Sequence, residues 1–104
     1  MDPLLVAQGA VEVVVKAALP SNAGKVYVET FAMPATSTTR KYILVQMSKP
    51  DPRRRASFKV NLGWSDGGYT FDRGDVETTA LRALKTIDDL EIRPEALDTS
   101  RPKA

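Results

Sequence analysis

The 104-residue chain has no histidine and no cysteine. Without histidine it lacks the side chain that most often acts as a general base near neutral pH, and the commonest metal ligand. Without cysteine it has no disulfide, no thiolate nucleophile and no thiolate metal site, a composition that fits a reducing compartment. Aromatic residues make up only 7% of the chain, and none interleaves with its basic residues in the manner of an RNP motif. Neither sign of charge dominates. Fifteen basic residues against thirteen acidic ones leave a net charge of +2, so the alkaline pI is a weak argument for nucleic acid. Long apolar runs are also missing. The start, Met1-Asp2-Pro3-Leu4-Leu5, has no basic segment, and Glu12 and Lys16 interrupt the apolar stretch behind it, which argues against a signal peptide and against a membrane span.

What is present is enough for one domain. A hydrophobic content of 42% and a charged content of 27% are ordinary for a globular chain, and the length leaves room for a single core. Asp2-Pro3 reads as a helix start, the carboxylate capping free N–H groups and proline fixing φ at the first helical position. The first helix then runs to about Ala18. Its polar residues Gln8, Glu12 and Lys16 recur every four positions as one narrow stripe, so most of the remaining surface is apolar and more than one small sheet can cover. The β-branched run Val11-Glu12-Val13-Val14-Val15 admits a strand as the rival reading; the cap, the alanines and the stripe favour helix.

Pro20 to Gly24 is a break. Lys25 to Phe31 alternates as a first strand, with Val26, Val28 and Thr30 on one side and Tyr27, Glu29 and Phe31 on the other. Ala32 to Thr39 is small and polar. Lys41 to Met47 holds Tyr42-Ile43-Leu44-Val45, apolar on both faces, as expected of a central strand covered on both sides. In the third strand Phe58, Val60, Leu62 and Trp64 point one way and Ser57, Lys59 and Asn61 the other. Ser65-Asp66-Gly67-Gly68 is a turn signal, and Gly74-Asp75 reads as the cap of a second helix, about Val76 to Leu90. The expected architecture is α+β, order α-β-β-β-α: a mainly antiparallel three- or four-stranded sheet with both helices on one face, residues 1–92 forming the domain and 93–104 an extended tail. The expected core is Val60, Leu62, Trp64, Leu84 and Ile87.

Motifs that suggest chemistry do not survive mechanical scrutiny. Gly63-Trp64-Ser65-Asp66-Gly67 matches G-x-S-x-G, but a nucleophile elbow needs a helix directly after the serine and a base to take its proton. Asp66, Asp72, Asp75 and Glu77 lack the spacing of a calcium loop. Asp88 and Asp89 are adjacent on a helix and diverge by about 100°. No catalytic, cofactor or metal site is expected. The one concentration of charge is Lys49 with Arg53, Arg54 and Arg55, flanked by Arg40, Lys41 and Lys59. Adjacent guanidinium groups repel one another unless salt, phosphate or carboxylates surround them; with prolines at 50 and 52, the segment reads as an exposed hairpin loop, either simply solvated or a contact arm for an acidic protein surface or DNA.

The element order and several segments resemble the small tail-terminator, or tail-completion, proteins of long-tailed bacteriophages. The resemblance covers about residues 3–92 and is carried by the N-terminal helix, Gly24-Lys25-Val26-Tyr27-Val28-Glu29, Tyr42-Ile43-Leu44-Val45, Phe58-Lys59-Val60-Asn61-Leu62-Gly63-Trp64 and the helix Val76 to Leu90. Many members continue into a further strand where this chain has a short, proline-containing tail. The resemblance implies a non-enzymatic virion subunit, assembled in the bacterial cytoplasm, that forms a six-fold ring on the tail tube. It would meet tail-tube and head–tail connector proteins, with genome DNA passing through its lumen without sequence readout. The alternative is a small nucleic-acid-binding α+β module that uses residues 49–55.

Overall fold

In the computed structural model, which describes residues 2–50 and 54–92, the α+β order expected from the sequence is present. Helix α1 spans Pro3–Ala18, and Asp2 caps it through its carboxylate, which accepts from the Leu4 N–H at 2.9 Å. After a 3₁₀ turn at Ser21–Ala23 come β1 (Tyr27–Met33), β2 (Tyr42–Ser48) and β3 (Arg55–Asn61). They form an antiparallel sheet with β2 in the centre. Register places Val28, Met47 and Ala56 in one row, Thr30, Val45 and Phe58 in the next, and Ala32, Ile43 and Val60 in the third.

That face meets both helices. Val11, Val14 and Val15 of α1 and Val76, Ala80, Ala83, Leu84 and Ile87 of α2 (Arg73–Ile92) form one core with Ile43, Val45, Met47 and Val60. Ile43, Val45, Met47 and Ile87 are fully buried. The apolar residues of α2 recur at three- and four-residue intervals, and this spacing keeps a single stripe on the sheet. The helix begins earlier than the Gly74-Asp75 signal suggests. Asp72 is the capping residue, its carboxylate accepting from the Asp75 N–H at 3.0 Å and its carbonyl from the Val76 N–H.

Two expectations, on β2 and on Trp64, need correction. The second face of β2 carries Tyr42, Leu44, Gln46 and Ser48, all half-buried; among the described residues no helix covers it, so the strand is central within the sheet but open on one side. The polar stripe of α1 does not mark its solvent side, because Gln8 and Glu12 lean onto β1 while Leu5, Val6 and Val13 are exposed. The other correction concerns Trp64. Strand β3 ends at Asn61, and Gly63–Ser65 forms a separate strand, β4, paired with β5 (Gly68–Thr70) in a two-stranded hairpin. Alternation predicts a face only while the pleat is continuous. Beyond the break Leu62 stays half-buried against the core, but Trp64 leaves it and is 58% exposed. The hairpin turn has φ of 53° at Asp66 and 79° at Gly67, the left-handed pair that twists correctly between antiparallel strands and that Asp-Gly favours.

Candidate assembly surface

One side of α1 is apolar and, among the described residues, uncovered. Leu5, Val6, Gly9, Ala10, Val13 and Ala17 line it, all exposed, and Val13 reaches 65%. Leu5, Gly9, Val13 and Ala17 recur every four residues, with Val6 and Ala10 beside them at the same spacing, so they form a continuous ridge along the helix. The β4–β5 hairpin extends that ridge. Pro3, Val6, Ala7 and Ala10 share a cleft of about 280 Å³ with Gly67, Gly68, Tyr69 and Phe71. Tyr69 in turn stacks edge-on against Trp64, ring centroids 4.7 Å apart at 75°. Lys41 donates to the Tyr69 hydroxyl at 2.9 Å, and this hydrogen bond holds its ammonium above the usual lysine pKa. The outcome is a band of aliphatic and aromatic surface larger than the scattered single exposures normal for a monomer.

The inner flank of α1 is held by a polar cluster. Gln8 Nε2 donates to the Thr30 carbonyl at 2.8 Å and to Thr30 Oγ1 at 3.3 Å; Thr30 Oγ1 donates to Glu12 Oε1 at 3.1 Å; Lys16 donates to Glu12 Oε2 at 2.8 Å. Thr30 is buried. The hydrogen bond from Lys16, followed by that from Thr30, lowers the Glu12 pKa. The cluster fixes the rotation of α1, so its apolar ridge points away from the sheet.

The basic residues are distributed by the fold. Lys49 is mostly buried and pairs with Asp88 of α2 at 2.6 Å. Its N–H donates to the Arg54 carbonyl. Arg54 is half-buried, Arg55 is exposed at the start of β3, and Arg53 lies outside the described residues. Lys49 thus serves the fold as a tie between β2 and α2. Among the predicted core residues, Val60, Leu84 and Ile87 are buried, Leu62 is half-buried and Trp64 is exposed.

The motifs that mimic active sites have structural roles here. Ser65 is followed by the hairpin turn and not by a helix, and its hydroxyl is 3.5 Å from Asp66 Oδ2. Asp72 caps α2, and Glu77 pairs with Arg73 at 3.3 Å. Among the described residues, no helix is long and apolar enough to cross a membrane. The sequence holds no signal for the α1 ridge as an interface beyond its excess of apolar positions, and the participation of Tyr69 and Phe71 could not be read from spacing at all. The chain matches no family model, and neither a curated protein nor a solved structure shows a significant match to it.

Proposed function

We propose that this chain is a non-enzymatic assembly subunit of a tailed-phage virion, a tail terminator that closes into a six-fold ring at the head–tail junction. The supporting observation is the uncovered ridge Leu5, Val6, Gly9, Ala10, Val13 and Ala17, extended by Tyr69 and Trp64. A second copy of the chain is its occupant. The two ends of this band differ in chemistry, aliphatic on α1 and aromatic on the hairpin, which suits a head-to-tail contact between unlike surfaces; such a contact gives a ring when its rotation closes and a filament when it does not. The family resemblance of residues 3–92 supplies the biological setting: tail tube below, connector above, DNA through the lumen.

The experiment is particle imaging of the purified chain alone and with tail tubes from the phage that encodes it, together with sedimentation velocity. A six-fold ring seated on the tube end is the expected result. A ring of another symmetry overturns the terminator reading. A chain that stays monomeric and ignores the tubes overturns the assembly reading as well.

A further inference from the structure

The face of the sheet turned away from the helices carries a second arrangement, separate from the α1 ridge. Register puts Tyr27, Ser48 and Arg55 in one row across the three strands, and Phe31, Leu44 and Lys59 in another. Edge strand β1 therefore carries two rings four residues apart, and edge strand β3 carries two cations four residues apart in the same rows. At the rise of a β-strand each pair is separated by about 13 Å, and the two rails lie about 10 Å from one another across β2. Tyr27 and Phe31 are 45% and 40% exposed, and Arg55 and Lys59 are exposed. The floor between them is Leu44, Gln46 and Ser48 of β2, all half-buried.

Lys25, Arg40 and Lys41 add positive charge near the ends of this face. Lys25 lies 5.3 Å over the Tyr27 ring, and Lys59 lies 4.9 Å over the ring of Tyr42. Arg40, Lys41 and Lys59 share a cleft of about 350 Å³ with Thr39, Tyr42, Asn61 and Leu62, a lining without a carboxylate. Against these positive groups the sheet face itself presents one carboxylate, Glu29, opposite Gln46. The charge is thus complementary to a polyanion, and the exposed rings call for a partner that also offers flat apolar faces.

We infer that the open sheet face binds single-stranded nucleic acid along the strands, its bases stacked on Tyr27 and Phe31 of β1 and its phosphates held by Arg55 and Lys59 of β3. A duplex hides its base faces and cannot use the rings, whereas every unpaired base has a face to stack. The inference does not rest on ring assembly, since it uses the opposite layer of the fold.

The test is fluorescence anisotropy on the full chain with a labelled oligothymidylate of about 12 nucleotides, an oligouridylate of equal length, the matching duplex, and an abasic oligophosphate of equal charge. Saturable binding of a single strand is expected, with duplex and abasic probes weaker by about tenfold or more. Preference between thymidylate and uridylate assigns the ligand to DNA or RNA. The double variant Tyr27→Ala/Phe31→Ala is expected to lose about tenfold or more in affinity, while Phe31→Trp retains it. Arg55→Ser/Lys59→Ser is expected to flatten the slope of log K against log salt by about 1.4, two phosphate contacts at about 0.7 each. Thr78→Ala on the exposed side of α2, in neither surface, leaves binding unchanged, and sedimentation velocity on the same samples reads assembly separately, so failure here is distinguishable from failure of the assembly reading. Equal affinity for the abasic probe, or no effect of the double aromatic variant, overturns the stacking platform. Absence of saturable binding at about 50 mM salt overturns the inference altogether.

Discussion

The Thr30 hydroxyl, on the inner face of β1, donates to Glu12 of α1 at 3.1 Å, and the same side chain and its carbonyl accept from Gln8. This is the buried polar contact that sets which side of α1 meets the sheet. Thr30→Val keeps the shape and removes the hydroxyl. It is expected to cost about 1–2 kcal/mol in denaturant unfolding, the usual range for a hydrogen bond whose loss leaves a partly buried partner behind.

Glu12 makes that contact pH-dependent. Its folded-state pKa is depressed, first by Lys16 and then by Thr30, so the folded chain binds its proton less readily than the unfolded chain. The stabilisation is present above the unfolded value of about 4.3 and is lost as pH falls through the lower folded value. Melting temperature followed from neutral to acid pH is expected to fall less steeply for Glu12→Gln than for the parent. Parallel curves would show that the contact contributes nothing to folding.

Ile87 and Trp64 separate core from surface. Ile87 is fully buried between α2 and the sheet, and Ile87→Ala is expected to cost about 2–5 kcal/mol. Trp64→Ala removes an exposed ring whose described ring contact is with Tyr69; a loss of about 1 kcal/mol is expected. Chemical denaturation of the two variants side by side checks the difference.

Val13 projects from the α1 ridge into solvent. Val13→Glu is expected to change monomer stability by less than about 0.5 kcal/mol, as surface substitutions usually do, while preventing ring formation by placing a desolvated charge in the contact. Sedimentation velocity and thermal unfolding on the same sample read the two effects separately.

Lys49 and Asp88 link the end of β2 to α2 across 2.6 Å. Asp88 is partly exposed, so a double-mutant cycle with Lys49→Met and Asp88→Asn is expected to give a coupling of about 0.5–1 kcal/mol, diminished by salt. A coupling of zero would free Lys49 for the partner-contact role suggested by its place in the basic segment.

The sequence alone determined the α+β class, the order of elements, the Asp2 cap, the alternation of β1 and β3 as far as Asn61, the Asp66-Gly67 turn and the buried stripe of α2. Each is written in residues within a few positions of one another, where backbone sterics and the helical or pleated period act directly. Only the tertiary structure decided the rest. Trp64 has the parity of Val60, but one break in the pleat at Leu62 carried it into a different sheet. The stripe Gln8, Glu12 and Lys16 has the spacing of a solvent face, yet Thr30, eighteen residues beyond Glu12, turned it toward β1 and left the apolar ridge outside. Lys49 has the sequence context of an exposed arm, but Asp88, thirty-nine residues away, engages it. In each case the deciding partner lies far along the chain, and the pairing exists only once the strands and helices have packed, because a side chain's exposure is a property of what the fold brings to it.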